Sequence, residues 1–597
     1  MTAVSPLAGQ TDLVTFSITV EGSPMPSVYQ VSQVRVHKQV NRIATAKIVL
    51  YDGSPSAEAF AISASATFVP GQTVTISAGY HSDETQIFSG VVVKQAIRVR
   101  KDAKSFLTVT CFDPALKMTM GRKSAYIGKS DSTAFKQIIS AAGLTAKVDD
   151  TTDAHDEIVR YYATDWDFLV ARAEVNGMIV LVDDGTVTVQ APQVSTAPAL
   201  LIEYGDALQE INAEIDARIQ LPSVQCSAWD FSSQSVVSGN STEPTMNAQS
   251  NLDGKTLSGV LAIGSFDLQV SAPLPQPELT VWADAQLLKS RLALVRGTVS
   301  FRGNASAKPG QTIQLAGVGA RFNGNAFVSS VVHHIEDGNW VTETGLGLSP
   351  NWFVEEVSDV EAPPAAGLLP GVNGLIIGKV KQIDQDPDNQ NRVLVEAPMI
   401  NPAGDGIWAR LASPYATDKA GIFFYPEVGD EVVLGFLNDD PSFPVIMGSL
   451  YSSARTPPFT PDQPNTNKAI VTNAKLTISM DDVKKIIVIK TPGGQVITLS
   501  DDANSITLVD SNKNQISMSS AGISLDSCKD VTISAKGNVS ISANGGSLTE
   551  KASTEINASA LNISVTASTA LSLKGNASAQ MTSTGTTTVR GTMVMIN

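Results

Sequence analysis

The chain has 597 residues, a hydrophobic content of 43% and a formal net charge of −16, which is the composition of a folded protein of several domains. Its Lys and Arg residues form no basic block, and this excludes a nucleic-acid partner or a standing contact with an anionic membrane, since both need clustered cations. The three cysteines, Cys111, Cys226 and Cys528, lie far apart, so we expect buried thiols in a reducing cytoplasm rather than disulfides or a zinc site.

Residues 1–112 alternate apolar and polar side chains between turns, as half-buried strands do. Two of these runs end at a Gly-Ser-Pro turn, at 22–24 and at 53–55. The alternating runs are 14–20, 46–50, 74–76, 86–93 and 107–111. The pattern predicts a first small antiparallel, tube-like β-barrel.

Residues 113–194 form a mixed α/β segment in this reading. Ser130 precedes an amphipathic run that Gly143 closes, and Thr164 opens a second run that ends at Asn176-Gly177; these are helix start and stop signals. A hairpin follows around Asp183-Asp184-Gly185. We interpret Asp165 and Asp167 as capping residues of the second helix rather than as catalytic carboxylates.

Residues 195–360 again show the pattern of strands, and this pattern predicts a second tube-like barrel. Its Pro309-Gly310-Gln311-Thr312 nearly repeats Pro70-Gly71-Gln72-Thr73 of the first barrel. The repeat indicates two related barrels in one chain.

Residues 361–373 and 452–467 are rich in Pro and small or polar residues and are predicted linkers. Between them, residues 374–451 contain short apolar runs separated by Gly and Pro turns. About eighty residues with six such runs, one of them at 420–424, suit an OB-fold barrel.

Residues 468–597 contain no Phe, Trp, Tyr or His, and their only proline is Pro492. From residue 516 onward, aliphatic i, i+2 pairs recur about every eight residues, with Gly and Asn between them; the first pairs are Ile516/Met518, Ile523/Leu525, Val531/Ile533 and Val539/Ile541. Each pair points to one face of a short strand, and the whole predicts a stacked β-repeat.

One such octad cannot bury its own apolar pair, so its face must be covered. Either one chain winds three octads into each coil, or three chains each give one octad to a shared layer. About ten octads would make only a stub from one chain but a long needle from three, which favours an intertwined homotrimer. A disordered Ser/Thr-rich tail is the third reading, and the regular aliphatic pairs disfavour it.

Taken in order, these segments resemble the central spike of contractile injection machines, the VgrG / phage late control protein D family, which is equivalent to the fused hub and spike of a T-even phage baseplate. The resemblance covers essentially the whole chain. Its most specific stretches are 68–90, 163–172, 426–434 and 436–448, the last with Asp439-Asp440 where the family usually has Gly-Asp. The strand at 391–399 is nearer to that of the extracellular, phage-tail-like particles than to the type VI secretion spikes.

The resemblance implies a non-enzymatic trimeric hub that caps a hexameric inner tube, contacts baseplate proteins and carries a puncturing needle, with a target membrane contacted only on firing. Two barrels per chain in a trimer give six, which matches a six-fold tube. The lysozyme domain of T-even spikes is not expected, because residues 452–467 are too few for a domain with its own core.

No cofactor or metal site is predicted. His333 and His334 are strand neighbours that point to opposite faces. Asp384, Asp386 and Asp388 begin like a calcium loop, but Asn389 stands where the loop needs Gly and Val395 where it needs Glu,, so we expect a solvated turn.

The one predicted site is the apolar C-terminus, Met593, Val594, Met595, Ile596 and Asn597. An apolar end on a β-needle leaves strand edges and side chains uncovered. In the family, a PAAR-type tip protein sits there, and cargo can be attached. The alternative is that the three chains close their own tip.

Two rival functions stay open at this point. One is a type VI secretion spike rather than an extracellular particle, and the other is a trimeric β-helical polysaccharide depolymerase or adhesin. The second is disfavoured because a needle without aromatic residues lacks the usual sugar-binding surface. The sequence begins without the basic and apolar regions of a signal peptide,, so we expect assembly in the bacterial cytoplasm and exit as part of the particle.

Overall fold

The computed structural model describes residues 3–9, 11–101, 103–151, 154–400 and 404–596. The chain divides into two units, Met1–Leu450 and Tyr451–Asn597. The structure is mainly β, as expected. Within the described ranges, none of the helices has the length and hydropathy needed to cross a membrane.

The segment from residue 14 to residue 112, which we call the first half of unit one, supplies seven strands to a large sheet. Apolar side chains that alternate along these strands are buried in a core that includes Phe68 and Phe88. The strands are β1 (Val14–Val20), β2 (Ser23–Pro24), β3 (Val31–Gln39), β4 (Thr45–Tyr51), β5 (Thr73–Tyr80), β6 (Asp83–Arg100) and β7 (Ala103–Phe112).

The mixed segment contains β8 (Lys123–Ser130), α1 (Asp131–Ala141), β9 (Thr145–Val148), β10 (Ala154–Ala163), α2 (Asp165–Val175), β11 (Ile179–Asp183) and β12 (Thr186–Gln190). Both predicted helix starts are confirmed: the Ser130 hydroxyl accepts the Thr133 N–H of α1, and the Thr164 hydroxyl accepts the Asp167 N–H of α2. The capping interpretation of Asp165 is wrong, because its buried carboxylate instead pairs with Arg160 and Lys123.

The second half contains β13 (Leu201–Glu203), β14 (Leu208–Glu214), β15 (Val224–Asp230), β16 (Ser235–Asn240), α3 (Gly254–Ser258), β17 (Phe266–Val270), α4 (Gln276–Leu292), β18 (Arg296–Arg302), β19 (Thr312–Ala316), β20 (Gly324–Glu336), β21 (Asn339–Leu346) and α5 (Phe353–Glu356). The long helix α4 corrects the all-strand reading of this segment. Its Leu279, Ala283 and Leu287 recur every four residues and are buried against β15, which is helical spacing.

The two halves share one sheet of thirteen strands. Its order is β14-β18-β21-β20-β3-β4-β7-β6-β5-β1-β2, with β19 beside β20 and β13 beside β19. The junction is the antiparallel pair β3–β20, which runs from Gln39–Ser330 to Gln33–Glu336. An unpaired strand edge is costly, and here each half covers an edge of the other. The predicted barrels are therefore joined along their strands.

The Pro-Gly-Gln-Thr repeat has the same backbone pairing in both halves. The N–H of Gly71 donates to the Val92 carbonyl and that of Gly310 to the Val328 carbonyl, both at 2.8 Å. The return bond is 2.9 Å in each case. Both glycines have positive φ, +101° and +82°, a conformation that favours Gly. This equivalence supports the duplication inferred from sequence.

Glu174 of α2 ties the mixed segment to both halves. Its buried carboxylate accepts hydrogen bonds from Lys289 Nζ of α4 at 2.8 Å, from Asn41 Nδ2 after β3 at 3.1 Å, and from the Phe353 N–H of α5 at 2.6 Å. A buried charge needs such partners, and three of them fix the position of α2.

The next strands are β22 (Ile376–Gln382), β23 (Val393–Glu396), β24 (Ile407–Leu411), β25 (Ala416–Thr417), β26 (Ala420–Gly421), β27 (Glu431–Phe436) and β28 (Pro444–Ser449). Five of them close into a barrel in the order β22-β23-β24-β28-β27. The strand predicted at 420–424 is confirmed only at Ala420–Gly421, and its place in the barrel is wrong. These two residues are β26, which forms a separate small hairpin with β25, and Ile422, Phe423 and Phe424 lie exposed after it.

Unit two begins with a meander of seven five-residue strands, each antiparallel to the next. They are β29 (Asn467–Val471), β30 (Thr477–Asp481), β31 (Ile486–Lys490), β32 (Val496–Ser500), β33 (Ser505–Val509), β34 (Gln515–Ser519) and β35 (Gly522–Asp526). From residue 527 to residue 596 the chain forms no strand with itself. Short 3₁₀ helices occur in unit one at Pro114–Thr119, Ala217–Ile219, Pro364–Gly367 and Leu437–Asp439.

Candidate functional site

The meander carries two columns of aliphatic side chains on one face, set by its register. One column pairs across the strands in the order Ile470, Ile478, Ile489, Ile497, Leu508, Ile516 and Leu525, and the other in the order Met480, Ile487, Leu499, Ile506, Met518 and Ile523. Facing positions of an antiparallel pair lie on the same side of the sheet. We name these thirteen side chains the apolar columns.

The apolar columns are uncovered in the single chain. Their exposure runs from 37% at Ile497 to 76% at Ile523, with only Ile516 more buried than this range. The middle column of the opposite face is Ala469, Ser479, Val488, Thr498, Thr507, Ser517 and Ser524. An antiparallel sheet normally buries its aliphatic face and solvates the other, so this meander has its core-facing side open.

The octads after β35 are uncovered in the same way. Their aliphatic side chains from Val531 to Val589 are all exposed by more than half, although the sequence places them in regular i, i+2 pairs. Had the octads coiled within one chain, strand pairing and burial would appear between residues 527 and 596, and neither is present there. The single-chain reading of the repeat is therefore not supported.

The predicted tip residues are also uncovered. Met593 is 77% exposed, Val594 49%, Met595 80% and Ile596 91%, and the predicted Asn597 lies outside the described residues. Three of the four side chains are more than three-quarters exposed, so most of the apolar surface of the tip is uncovered in the single chain.

The other candidate residues from the sequence have structural roles. His333 is buried and its Nδ1 is 3.0 Å from the Thr342 hydroxyl; burial lowers its pKa to about 3, so the ring is neutral at pH 7. Asp386 accepts from the Arg392 guanidinium and from turn N–H groups, and the hydrogen bond from Arg392 holds the pKa of Asp386 well below its ordinary value. Asp388 also pairs with Arg392, so the carboxylates of this loop neutralise an arginine.

Among the described residues, no group of three His, Cys, Asp or Glu side chains has the geometry to hold a metal ion. Burial raises the pKa of both Cys111 and Cys226 to about 12, so these thiols stay protonated. Cys111 and Cys226 are buried in the two halves of unit one, as the sequence suggested, but the expectation is wrong for Cys528, which is exposed in unit two.

Three parts of the chain match known families. Residues 10–337, more than half of the chain, match the Alg8 N-terminal domain. Residues 376–451 match the type VI secretion system/phage-baseplate injector OB domain, and residues 486–549 match the phage baseplate V C-terminal trimerisation domain. The chain belongs to the Alg8 N-terminal domain family and is a VgrG-type spike protein. The resemblance of its sequence to VgrG-type spikes is thereby confirmed.

Individual relatives are similar to this spike over short stretches. It is 36% identical over 76 residues to the type VI secretion system spike protein VgrG3 of Vibrio cholerae, and 40% identical over 53 residues to the actin cross-linking toxin VgrG1 of the same species. These stretches are 12% and 9% of the spike and 8% and 5% of the relatives. The crystal structure of the prophage MuSo2 43 kDa tail protein of Shewanella oneidensis covers 56% of the spike and 98% of its own chain, at 10% identity and a TM-score of 0.42.

Part of the candidate site was missed at the sequence level. The apolar columns begin at Ile470, well before the octads that the eight-residue spacing revealed. A signal was present: the pairs Ile478/Met480, Ile487/Ile489, Ile497/Leu499 and Ile506/Leu508 recur every nine or ten residues. The longer spacing reflects wider turns between the meander strands, and it hid the pairs from a search at one fixed period.

Proposed function

We propose that three copies of this spike pack their apolar columns against one another around a common axis and then wind residues 527–596 into an intertwined β-needle. The observation that carries this proposal is the open aliphatic face of the meander, followed by octads without strand partners in their own chain. Three such faces, each about 16 Å wide for five-residue strands, enclose a narrow prism whose interior is dry and whose edges are paired. The match of residues 486–549 to a trimerisation domain supports it.

In this proposal, the spike is a structural component of a contractile injection system. Unit one contacts the baseplate and caps the hexameric inner tube, and its duplicated halves give six related surfaces per trimer. The needle punctures the target envelope mechanically, with sheath contraction as the energy source. No chemistry is assigned to the chain, because the candidate residues that the sequence offered, among them His333, Asp386 and Asp388, have packing or ion-pair roles.

The trimer is tested by the solution mass of the full-length chain beside a truncation that ends at Asn467. Three copies of 62.8 kDa give 188.4 kDa. We expect that mass for the full-length spike, in an SDS-resistant species, and a weakened trimer for the truncation, because it lacks all of the apolar columns. A compact full-length monomer contradicts the proposal.

The second part of the proposal concerns the tip. Met593 to Ile596 present an apolar end, three times repeated in a trimer, that a PAAR-type protein of complementary shape covers. We expect a purified PAAR-type protein from the same gene cluster to bind the full-length spike, and the variant Met593→Asp/Met595→Asp to lose this binding. Thr588→Asp, a matched change next to Val589 and on the opposite face of the octad, leaves it intact.

If the PAAR-type protein fails to bind the unmodified trimer, the tip is closed by the three chains themselves. The particle type is a separate proposal. We favour an extracellular, phage-tail-like particle from the strand at 391–399, and the type VI secretion spike is the alternative. Sheath genes without a neighbouring membrane-complex cluster support the first, and such a cluster supports the second.

A further inference from the structure

A cavity of about 320 Å³ lies in unit one. It forms where residues 243–254 cross the second half of unit one, against β19, β20 and the C-terminal end of α4. Its size is at the small end of the range for ligand pockets, about 300–1,000 Å³. The proposed trimer makes no use of it.

Three polar groups around this cavity are buried without a hydrogen-bond partner among the described residues. They are the side-chain amide nitrogens of Asn247 and Gln249 and the hydroxyl of Thr312, and Thr312 is only 1% exposed. More than nine-tenths of buried polar groups in folded proteins are paired. Three unpaired groups on one cavity indicate that something with hydrogen-bonding atoms completes it.

The charged groups at the cavity are already paired, which limits the ligand. Arg291 is held by both carboxylate oxygens of Glu243, at 2.6 and 2.8 Å. The Asp253 carboxylate accepts the Thr256 N–H of α3 at 2.6 Å. No cation is left to attract an anion, so the complementary ligand is neutral.

The remaining wall is apolar and consists of Val194, Met246, Leu252, Leu292, Leu294 and Phe327. A ligand that fits both parts of the lining carries an apolar group and neutral acceptors that the amides and the hydroxyl can reach. A side-chain amide offers a donor and an acceptor side by side, and so does a peptide bond.

The backbone of the crossing segment also has an open edge. It pairs with β20 through a single bridge, Gln249–Gly324, whose two flanking hydrogen bonds are 2.8 and 3.0 Å. In such a pair the N–H and C=O of Gln249 face away from β20, and they have no partner in the described chain. Gly324 fixes this approach, because a Cβ there would lie 2.4 Å from the Ala248 carbonyl oxygen.

We propose that this cavity binds a short extended peptide through its backbone amides, with one apolar side chain seated against the aliphatic wall. Extended peptides commonly add to an open strand edge, with main-chain hydrogen bonds for affinity and a pocket for the alternate side chain. The inference goes beyond the spike function and does not depend on the trimer.

The test uses the full-length spike and blocked tripeptides, measured by ligand-observed NMR and calorimetry. Acetyl-Ala-Leu-Ala-amide is expected to bind saturably, and acetyl-Ala-Asp-Ala-amide at least about tenfold more weakly, because a carboxylate would enter an apolar wall without a cation. Asn247→Leu/Gln249→Met, which removes both amides at similar volume, should lower the affinity for the leucine peptide at least about tenfold.

Asn251→Leu is the matched control, because its amide lies in the same segment but contacts Arg321 instead of the cavity; it should bind the leucine peptide like the unmodified chain. Thr312→Val is a second single variant, expected to weaken binding severalfold, if the double variant unfolds. If water alone satisfies the polar groups of the cavity, no tripeptide will bind saturably at about millimolar concentration. That result, or equal binding by a folded double variant, overturns the proposal.

Discussion

At the residue scale, His333 is one of two adjacent histidines that suggest a metal site in the sequence, but in the structure it packs inside the core. The ring lies inside unit one, beside Trp340 and the Thr342 hydroxyl. Burial is the main cause of its low pKa, with smaller contributions from the positive charge of Lys38 and from His334. The ring is therefore uncharged in the folded chain over the whole physiological range.

This makes the stability of unit one depend on pH. The unfolded chain binds a proton at His333 near pH 6.5, whereas the folded chain does so only near pH 3, so stability is complete above pH 6.5 and falls as the pH drops toward 3. Between about pH 7.5 and about pH 5, we expect His333 to account for a loss of about 2 kcal/mol in the free energy of unfolding. Urea unfolding at both pH values measures it.

The variant His333→Gln should lose this part of the pH dependence, whatever its stability at neutral pH. Thr342→Val is the control, since it removes the hydrogen bond to the ring but keeps the titrating group, and it should keep the slope of the unmodified chain. An unchanged slope in His333→Gln would place the titration elsewhere.

At the element scale, the meander face determines how the chain must associate. The meander has thirteen aliphatic side chains on one side, twelve of them exposed, and mostly Ser and Thr in the middle of the other. Burial of the aliphatic side therefore gives the larger gain in free energy. The proposed trimer buries that side in the axis, where a charge from each of three chains would meet without a counterion.

Leu499→Asp tests this directly, because Leu499 lies in the central strand β32. Three uncompensated carboxylates in a dry interior should cost at least about 3 kcal/mol per trimer, and we expect the SDS-resistant band to disappear. The adjacent Thr498→Asp points to the opposite face and should leave the band unchanged. Equal behaviour of the two variants would mean that the apolar columns do not face the axis.

Much of the element pattern could be predicted from the sequence, and the exceptions have physical causes. The helix starts at Ser130 and Thr164 were predictable because capping is local in sequence. Helix α4 was missed because its buried face consists largely of alanines and leucines among polar residues, in a region otherwise rich in strands. The exposed run at 422–424 has a strand composition, and only its tertiary surroundings leave it outside the barrel.

The candidate site was predictable in part for a similar reason. The octads can be recognised in the sequence by their fixed period, and the apolar tip by its composition. The peptide cavity could not be inferred from sequence, because Asn247, Gln249 and Thr312 come together only when residues 243–254 cross β19 and β20. Nor did any local signal indicate that β3 pairs with β20.

At the scale of the whole molecule, trimer formation should protect the needle from proteases. Residues 527–596 contain five basic residues at which trypsin can cut, Lys529, Lys536, Lys551, Lys574 and Arg590. In a separate chain this segment has no paired strands, and we expect rapid cleavage there; in the trimer, interchain hydrogen bonding should slow it at least about a hundredfold.

The measurement compares limited trypsin digestion of the unmodified chain with that of Leu499→Asp, followed by mass spectrometry of the fragments. Thr498→Asp again serves as the control and should be as resistant as the unmodified chain. Fast cleavage at these five positions in a species of 188.4 kDa, three times 62.8 kDa, would show that the needle segments do not intertwine.

The pairing of β3 with β20 has a consequence for biosynthesis. Gln39 of β3 pairs with Ser330 of β20. The β3 edge of the first half therefore stays unpaired during synthesis while almost three hundred further residues are translated. Contacts of such long range make folding slow, and an open edge during synthesis favours wrong pairing. The needle lies after residue 467, so its segments leave the ribosome only once β20 is available. The order of the segments therefore lets each chain complete its own sheet before neighbouring copies can entangle.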